Sequence, residues 1–171
     1  MKVMFCSSEV FPFSKTGGLA DMALFLPKSL QHLGHEVKVI TPYYKSIGKH
    51  HKDMTYKGTK TISMGGIETI VHFYELIYQD MSFIFVQNMH YFERDHLYGY
   101  NDDAERFSCF SYSILESLDV LDFYPEILHL NDWQTGMVPY LLDEHYRHRN
   151  DHYFSIHTLL TIHNLEYQGS F

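Results

Sequence analysis

The chain opens with a pattern of apolar and polar residues that predicts a strand, a helix and a second strand. The apolar run at residues 3–6 is followed by polar residues and two glycines, which is typical of a strand that ends in a loop. Gly34 stands where a glycine cap ends a helix, and residues 36–40 alternate as a strand does. Between these strands, apolar residues spaced three and four apart share one helical face: Leu19, Ala23, Leu26, Leu30 and Leu33. Together these elements predict a right-handed βαβ unit.

Residues 57–87 show a different pattern, with three β-rich runs in close succession. The runs cover residues 59–64, 67–78 and 82–86, and the links between them are Gly65-Gly66 and Gln79-Asp80. Short links of glycine or polar residues between such runs are typical of β-hairpins. This part of the chain is therefore predicted to be an antiparallel meander.

The rest of the chain returns to alternating helices and strands. Residues 101–103 are N-cap candidates for a helix with one apolar face: Phe107, Phe110, Ile114, Leu118 and Leu121. Residues 127–130 and 156–162 are each predicted to be a strand. A second helical face lies between them: Val138, Leu141, Leu142 and His145. The predicted fold class is α/β, a doubly wound Rossmann-like sheet with an inserted antiparallel β-meander, in one domain.

Composition and charge exclude several classes of protein. The chain has 171 residues, is 45% hydrophobic and carries a formal net charge of -8. This excess of acidic residues repels phosphate backbones, so no nucleic-acid partner is expected. Cys6 and Cys109 lie in apolar runs and are predicted to be buried free thiols, as in a reducing cytoplasm. No apolar run approaches the roughly 18 residues of a membrane span, so we expect a soluble cytoplasmic protein.

Candidate ligand-binding residues follow the first predicted strand, since open α/β sheets bind ligands beyond the carboxyl ends of their strands. Lys15, Gly17 and Gly18 lie there, just before the first helix. The glycines would let the backbone approach an anion, the helix would supply N–H groups, and the lysine would offset a diphosphate charge. The spacing matches neither the mononucleotide P-loop nor the dinucleotide fingerprint. A plain turn beside a solvated lysine is the alternative.

The segments after two later strands carry an aromatic ring and an imidazole. Asp132 and Trp133, the single tryptophan, follow residues 127–130, and an aromatic face beside polar groups is typical of a sugar-binding platform. The alternative is that Asp132 caps a helix while Trp133 packs in the core. His163 follows the last strand, where it is either a functional group or a structural hydrogen-bonding residue.

The sequence contains no motif typical of a metal site or of a catalytic nucleophile. The chain has 13 histidines, but it contains neither H-E-x-x-H nor C-x-x-C, and the histidines of the polar segment 144–152 fit a solvated face. It also lacks a G-x-S-x-G elbow, and neither cysteine has a histidine nearby in sequence. We therefore expect neither a metal site nor hydrolase chemistry.

Four segments, taken in order, closely resemble the bacterial glycogen synthases and plant starch synthases. They are SSEVFPF at residues 7–13, KTGGLAD at 15–21, HLNDWQTG at 129–136 and TIHNLEYQG at 161–169. The resemblance implies the GT-B fold, in which two Rossmann-like domains face a cleft. It also implies a retaining transfer of glucose from ADP-glucose to the non-reducing end of an α-1,4-glucan, with no metal or other cofactor.

The resemblance implies roles for individual residues on the donor side. Lys15 would contact the phosphates of ADP-glucose, Gly17 and Gly18 would let the backbone approach them closely, and Asp21 would be a polar neighbour of the donor. His163 would lie beside the transferred glucose as the catalytic residue. These roles are implied by the matching motifs alone.

The resemblance likewise implies residues on the side of the glucan or the glucose. Glu9, Asp132 and Trp133 match family positions there. Asn101 lies with Tyr98 in a loop that also looks like the family's, and it is a further candidate for a substrate contact.

The length of the chain departs from the family pattern. Family members continue through the rest of the first domain and then a whole second domain, which binds most of the donor. Residues 1–171 are therefore expected to be an acceptor-side domain that is incomplete at its C-terminal end, lacks the donor-nucleotide domain and is inactive alone. The alternatives are a non-catalytic carbohydrate-binding or regulatory module and a related GT-B transferase with another nucleotide-sugar.

Overall fold

Strands and helices alternate along the chain much as the apolar pattern predicts. The computed structural model describes residues 1–169, so Ser170 and Phe171 lie outside the described residues. The strands are β1 (Lys2–Cys6), β2 (Glu36–Pro42), β3 (Thr55–Met64), β4 (Ile67–Tyr78), β5 (Met81–Gln87), β6 (Ile127–Asn131) and β7 (His157–Thr161). The α-helices are α1 (Gly18–His32), α2 (Met89–Phe92), α3 (Asp103–Leu121), α4 (Val138–Leu141) and α5 (Asp151–Phe154). Lys45–Asp53 and Trp133–Thr135 are 3-10 helical, and Leu142–Tyr146 is a π-helical turn.

The strands of residues 1–169 form one seven-stranded sheet in the order β3-β4-β5-β2-β1-β6-β7. From β5 to β7 every neighbouring pair is parallel. Met4, Phe5 and Cys6 of β1 point to alternating faces and are all fully buried. A parallel sheet covered on both faces needs such continuous apolar strands. The predicted doubly wound α/β sheet is confirmed.

The predicted meander is also confirmed, and it extends the main sheet rather than forming a layer of its own. β3, β4 and β5 are antiparallel, while β5 pairs in parallel with β2 on its other side. Both links have two residues at positive φ, Gly65 and Gly66 in one and Gln79 and Asp80 in the other. Positive φ at both positions is the geometry of type I′ turns, whose twist matches that of the strands. β3 begins earlier than predicted, because its first residues pair with β4 as well.

Helix α1 ends as predicted but buries a different face. Gly34 has positive φ, and the N–H groups of Gly34 and His35 bond back to carbonyl groups of the last turn, which closes a Schellman motif. The expected inward position of Leu33 is wrong, since this side chain is 74% exposed. Leu33 lies beyond the last helical residue, so the helical period no longer turns it toward the sheet. The buried face consists of Leu19, Ala20, Ala23, Leu24 and Pro27.

The later helices follow their predicted faces with two differences. Asp102 is the N-cap of α3 but makes no side-chain cap bond, because its carboxylate accepts two hydrogen bonds from Arg94, each at 2.6 Å. His145 is exposed rather than inward. The π-helical turn Leu142–Tyr146 shifts the period by one residue, so Tyr146 takes the buried place.

Glu75 on β4 ties the meander to the parallel part of the sheet. Its carboxylate accepts hydrogen bonds from Ser82 at 2.6 Å, Lys38 at 2.9 Å and Lys57 at 3.1 Å. Burial by itself raises the pKa of Glu75, but the three hydrogen bonds outweigh burial and hold the pKa at about 2. The folded state therefore stabilises the ionised carboxylate.

Glu75→Gln is expected to lower the free energy of unfolding at pH 7 by roughly 2–3 kcal/mol, since one pKa unit corresponds to about 1.4 kcal/mol. A carboxyl with a lowered pKa stabilises the fold above its unfolded value of 4.5 and loses that contribution as the pH falls toward about 2. Urea unfolding at pH 7 and about pH 3 should therefore show a smaller difference between variant and parent at the lower pH. Glu68→Gln, exposed on the same strand, is the control. An equal difference at both pH values would contradict the assignment.

Strand β7 lies at one edge of the sheet and exposes apolar side chains. Leu159 is 51% exposed, Leu160 45% and Ile162 56%. Because contiguous exposed apolar surface associates with other apolar surface, the 171-residue chain is expected to bind a hydrophobic fluorescent dye and to self-associate. Dye titration and analytical ultracentrifugation measure the two properties. A monodisperse monomer that binds no dye would show that this edge is not an accessible apolar surface.

Candidate functional site

The carboxyl ends of β1, β6 and β7 meet at one edge of the sheet, because parallel strands point the same way. The register sets Cys6 beside Leu130 and Asn131 beside Thr161. The polar segments after these strands therefore leave the sheet at similar levels, and they border a cavity of about 960 Å³. The lining residues are Glu9, Thr16, Gly17, Gly18, Leu19, Met22, Tyr98, Gly99, Asp103, Asp132, Trp133, Gln134, His163, Asn164, Glu166, Tyr167, Gln168 and Gly169.

Glu9 is a buried carboxylate that holds the loop before α1. Its Oε2 atom accepts the backbone N–H groups of Thr16 at 2.5 Å and Gly17 at 3.3 Å. Its Oε1 atom accepts the hydroxyls of Thr16 at 2.6 Å and Tyr98 at 2.9 Å. Glu9 is only 4% exposed, and a buried charge needs such hydrogen bonds to offset its lost hydration. Both oxygens of Glu9 are therefore engaged by the chain itself.

Tyr98 connects the loop before α3 to this carboxylate. Its hydroxyl lies 2.7 Å from the hydroxyl of Ser8 and donates to Glu9. Burial, followed by the nearby Tyr44 and Glu9, raises the pKa of Tyr98 well above its usual value. The phenol consequently stays protonated at neutral pH and remains a hydrogen-bond donor.

Lys15 and Asp21 pair with each other at the start of α1. The ammonium lies 2.8 and 2.7 Å from the two carboxylate oxygens, and it also lies over the Phe11 ring, 5.6 Å from the centroid. The two side chains are 45% and 42% exposed. Exposed pairs of this kind contribute only about 0–1 kcal/mol, so a ligand with more negative charge can replace Asp21 as the partner of Lys15.

The two glycines of this loop leave open space beside the backbone. Gly17 is the N-cap of α1 and has extended dihedrals, with φ at -146°. A Cβ atom added at Gly17 or Gly18 would meet nothing within 4 Å. Neither backbone strain nor internal packing therefore requires glycine at these positions, and the space opens onto the cavity. The first turn of α1 also has no side-chain cap, and the N–H groups at a helix start have no partner within the helix.

Asp132 links the segments after β6 and β7. It adopts φ 58° and ψ -177° and makes no side-chain cap bond to the helical turn that follows, so the capping alternative is wrong. Its carboxylate instead accepts the backbone N–H of His163 at 2.6 Å. Positive φ is costly for a residue with a Cβ and persists where the surroundings enforce it, often at functional sites.

Trp133 is half-buried at the cavity wall. Its ring meets Phe107 edge to face, with centroids 5.1 Å apart. The backbone of Gly169 lies against the same indole, since a Cβ atom on Gly169 would come within 2.7 Å of the ring. Gly169 has positive φ as well, so this close approach depends on glycine.

His163 is exposed on the segment after β7, and its ring bonds to a buried amide. Its Nε2 atom lies 2.8 Å from Oδ1 of Asn131. A second imidazole, His129, lies nearby with its Nε2 atom 2.8 Å from the hydroxyl of Thr161. Burial, and then the proximity of His163, lowers the pKa of His129, so His129 is neutral at pH 7.

Comparison with known proteins identifies the family. The profile of the starch synthase catalytic domain matches residues 2–171. The chain belongs to the starch synthase catalytic domain family.

Relatives in the starch synthase family match the whole chain and are much longer. The chain is 71% identical to a glycogen synthase of Acholeplasma laidlawii and 45% identical to one of Anoxybacillus flavithermus, in each case over 100% of its length. It spans 36% and 35% of those proteins. The solved catalytic domain of starch synthase IV from Arabidopsis thaliana, bound to ADP and acarbose, matches with a TM-score of 0.78 at 29% identity. That match covers 96% of this chain and 34% of the Arabidopsis chain, and it confirms the predicted fold class.

The fold gathers most of the site residues that the starch synthase resemblance implies. The cavity is lined by six of them: Glu9, Gly17, Gly18, Asp132, Trp133 and His163. Lys15 and Asp21 adjoin this lining through the start of α1. Asn101 is different, because it lies exposed in a turn, and its loop contributes Tyr98, Gly99 and Asp103 to the cavity instead.

Two contributors to this site were missed from the sequence. Asn131 follows the predicted strand 127–130 and directly precedes Asp132 in the same polar segment, but it was not among the predicted site residues. Residues 166–169 also border the cavity, and the only indication of this was their place in the family motif. Side-chain direction at a strand end depends on neighbouring strands, which single-sequence patterns do not contain.

The described residues contain neither a group of metal-ligating side chains nor a membrane-spanning helix. Among the side chains of residues 1–50 and 52–169, no three His, Cys, Asp or Glu lie close enough together to hold a metal ion. No helix in that range is long and apolar enough to cross a bilayer. Cys6 and Cys109 are buried free thiols, as predicted.

Glu9→Gln is expected to loosen the loop before α1, because an amide accepts hydrogen bonds from Thr16 and Gly17 without a full negative charge. Hydrogen bonds to charged groups contribute about 1.5–3 kcal/mol, so the N–H groups of Thr16 and Gly17 should exchange with solvent roughly tenfold faster or more. Hydrogen exchange read by NMR measures this. Glu93→Gln, which is exposed at the end of α2, is the control. Unchanged exchange at both amides would mean that Glu9 does not hold the loop.

Proposed function

We propose that the chain is the acceptor-side part of a glycogen synthase, which transfers glucose from ADP-glucose to the non-reducing end of an α-1,4-glucan with retention of configuration. The observation that carries the proposal is the cavity bordered by the start of α1 and by the segments after β6 and β7. Its volume of about 960 Å³ suits a small-molecule site. Further support comes from the glycogen synthases among its relatives and from the Arabidopsis catalytic domain bound to ADP and acarbose.

On the donor side, the start of α1 would offset the negative charge of the diphosphate. A helix N-terminus carries partial positive charge and unpaired N–H groups. The space at Gly17 and Gly18 lets a phosphate approach the backbone. Lys15 would leave its exposed pair with Asp21 and contact the diphosphate, because two phosphates carry more charge than one carboxylate. Donors that face the leaving group stabilise the charge that develops there in the transition state.

On the sugar side, His163 would lie beside the transferred glucose as the catalytic residue. Asp132 fixes its backbone, and Trp133 supplies an apolar surface at the same wall. Asn101 would contact the glucan from its exposed loop. Glu9 would act on substrate through the loop that it holds, since both of its oxygens are already engaged.

Lys15→Gln, in a full-length active protein that contains this chain, is expected to raise the KM for ADP-glucose roughly ten- to hundredfold, since a charge-assisted contact contributes about 1.5–3 kcal/mol. The KM for the uncharged glucan should stay nearly the same. His163→Ala should instead lower kcat and kcat/KM together, which marks an interaction made in the transition state. Steady-state kinetics with each substrate varied distinguishes the two effects.

Lys45→Gln is the matched control for the lysine variant, because Lys45 also forms an exposed ion pair, with Asp95 at 2.7 Å. It should change neither KM. If Lys15→Gln left the donor KM and the turnover unchanged, the loop before α1 would be a plain turn and its phosphate role would be withdrawn.

A further inference from the structure

Asn131 is a fully buried amide at the carboxyl end of β6. Its Nδ2 group donates to the carbonyl oxygens of Cys6 at 3.0 Å and His129 at 3.2 Å. Carbonyl oxygens only accept hydrogen bonds, so these two contacts identify which end of the amide is the nitrogen. The remaining atom, Oδ1, lies 2.8 Å from Nε2 of His163. Hydrogen bonds at both its nitrogen and its oxygen therefore determine the orientation of the amide.

This orientation determines where the imidazole of His163 carries its proton. An amide oxygen only accepts, so the Nε2 atom of His163 must donate. A neutral imidazole has one donor nitrogen and one acceptor nitrogen, which leaves Nδ1 as the acceptor. The backbone N–H of His163 is bound to Asp132 as well. Two consecutive residues, Asn131 and Asp132, thus hold the ring and the main chain of His163.

We infer that Asn131 is a positioning residue that sets the Nε2–H tautomer and the ring orientation of His163, so that Nδ1 is the nitrogen left to accept a hydroxyl of a bound sugar. The inference rests on the proposed function, because it takes His163 as the ring beside the transferred glucose. A hydroxyl can donate to Nδ1 in this arrangement. A ligand atom that can only accept a hydrogen bond has no donor available on the neutral ring, because the Nε2 proton is already donated to Asn131.

The second histidine at this edge is compatible with the same assignment. His129 bonds to Thr161 through Nε2 and packs edge to face on Phe5, with ring centroids 4.7 Å apart. Its pKa is lowered by burial and then by the proximity of His163. His129 is therefore neutral at pH 7 and places no positive charge beside His163. The Asn131 amide contacts the His163 ring directly.

Nitrogen-15 NMR of the labelled 171-residue chain tests the inference at a pH where the ring is neutral. The ring signals of His163, assigned by their loss in His163→Gln, should show a protonated Nε2 and an unprotonated Nδ1. The Nε2 proton should exchange with water slowly enough to be observed. A proton on Nδ1, or fast averaging of the two tautomers, would overturn the inference. The measurement needs no substrate, so its outcome is separate from success or failure of the proposed transferase function.

Two variants of Asn131 separate positioning from a merely structural role. Asn131→Leu removes the acceptor at similar volume and should make the Nε2 proton exchange at least about tenfold faster, because a typical hydrogen bond contributes about 0.5–1.5 kcal/mol and water gains access when it is lost. Asn131→Asp keeps the oxygen acceptor for His163 but loses the amide donor to the carbonyl oxygens of Cys6 and His129, so its Nε2 proton should exchange more slowly than that of Asn131→Leu. Thr161→Val, which removes only the bond to His129, is the control and should leave His163 unchanged. A slow Nε2 proton in Asn131→Leu would refute the inference, and if that variant does not fold, the parent spectrum still decides it.

Discussion

The site depends on the parallel register of three strands. β6 pairs with β1 on one side and with β7 on the other, with Cys6 beside Leu130 and Asn131 beside Thr161. Strands in parallel register end at the same edge, so three segments that are far apart in sequence emerge together. The hydrogen bonds of Asn131 cross this register, because its amide reaches the carbonyl of Cys6 on β1 and the ring of His163 beyond β7. A slip of one residue would turn these side chains to the other face and disperse the site.

A second constraint is the charge of Glu9. A carboxylate this deeply buried has to recover its lost hydration from nearby donors, and the nearest donors belong to the loop before α1 and to Tyr98. The same interaction therefore satisfies the charge and shapes the loop. It also limits the anion site, because the N–H groups of Thr16 and Gly17 are already used. What remains for a ligand is the first turn of α1 and the ammonium of Lys15.

The two ends of the sheet differ in their side chains: the meander end has a network of polar contacts, and the β7 end exposes apolar residues. At the meander end, the ionised carboxylate of Glu75 joins β4 to β2, β3 and β5 through Lys38, Lys57 and Ser82. At the other end, β7 carries exposed Leu159 and Leu160 with no strand beyond it among the described residues. The polar contacts around Glu75 stabilise the chain internally, whereas the apolar edge at β7 is a surface for association.

The sequence by itself determined the main order of elements, the fold class and six of the residues that line the cavity. Apolar periodicity is a local property, so it located β1, β4 and the helix ended by Gly34, and the ordered motifs indicated the family. Tertiary structure decided the contacts made by those residues. Leu33 turned outward because its helix had already ended, and Asp132 bonded the backbone of His163 instead of capping a helix. The pairing of Asn131 with His163 depends on how β1, β6 and β7 align, and hydrogen bonds between distant strands leave no periodic trace in a single sequence.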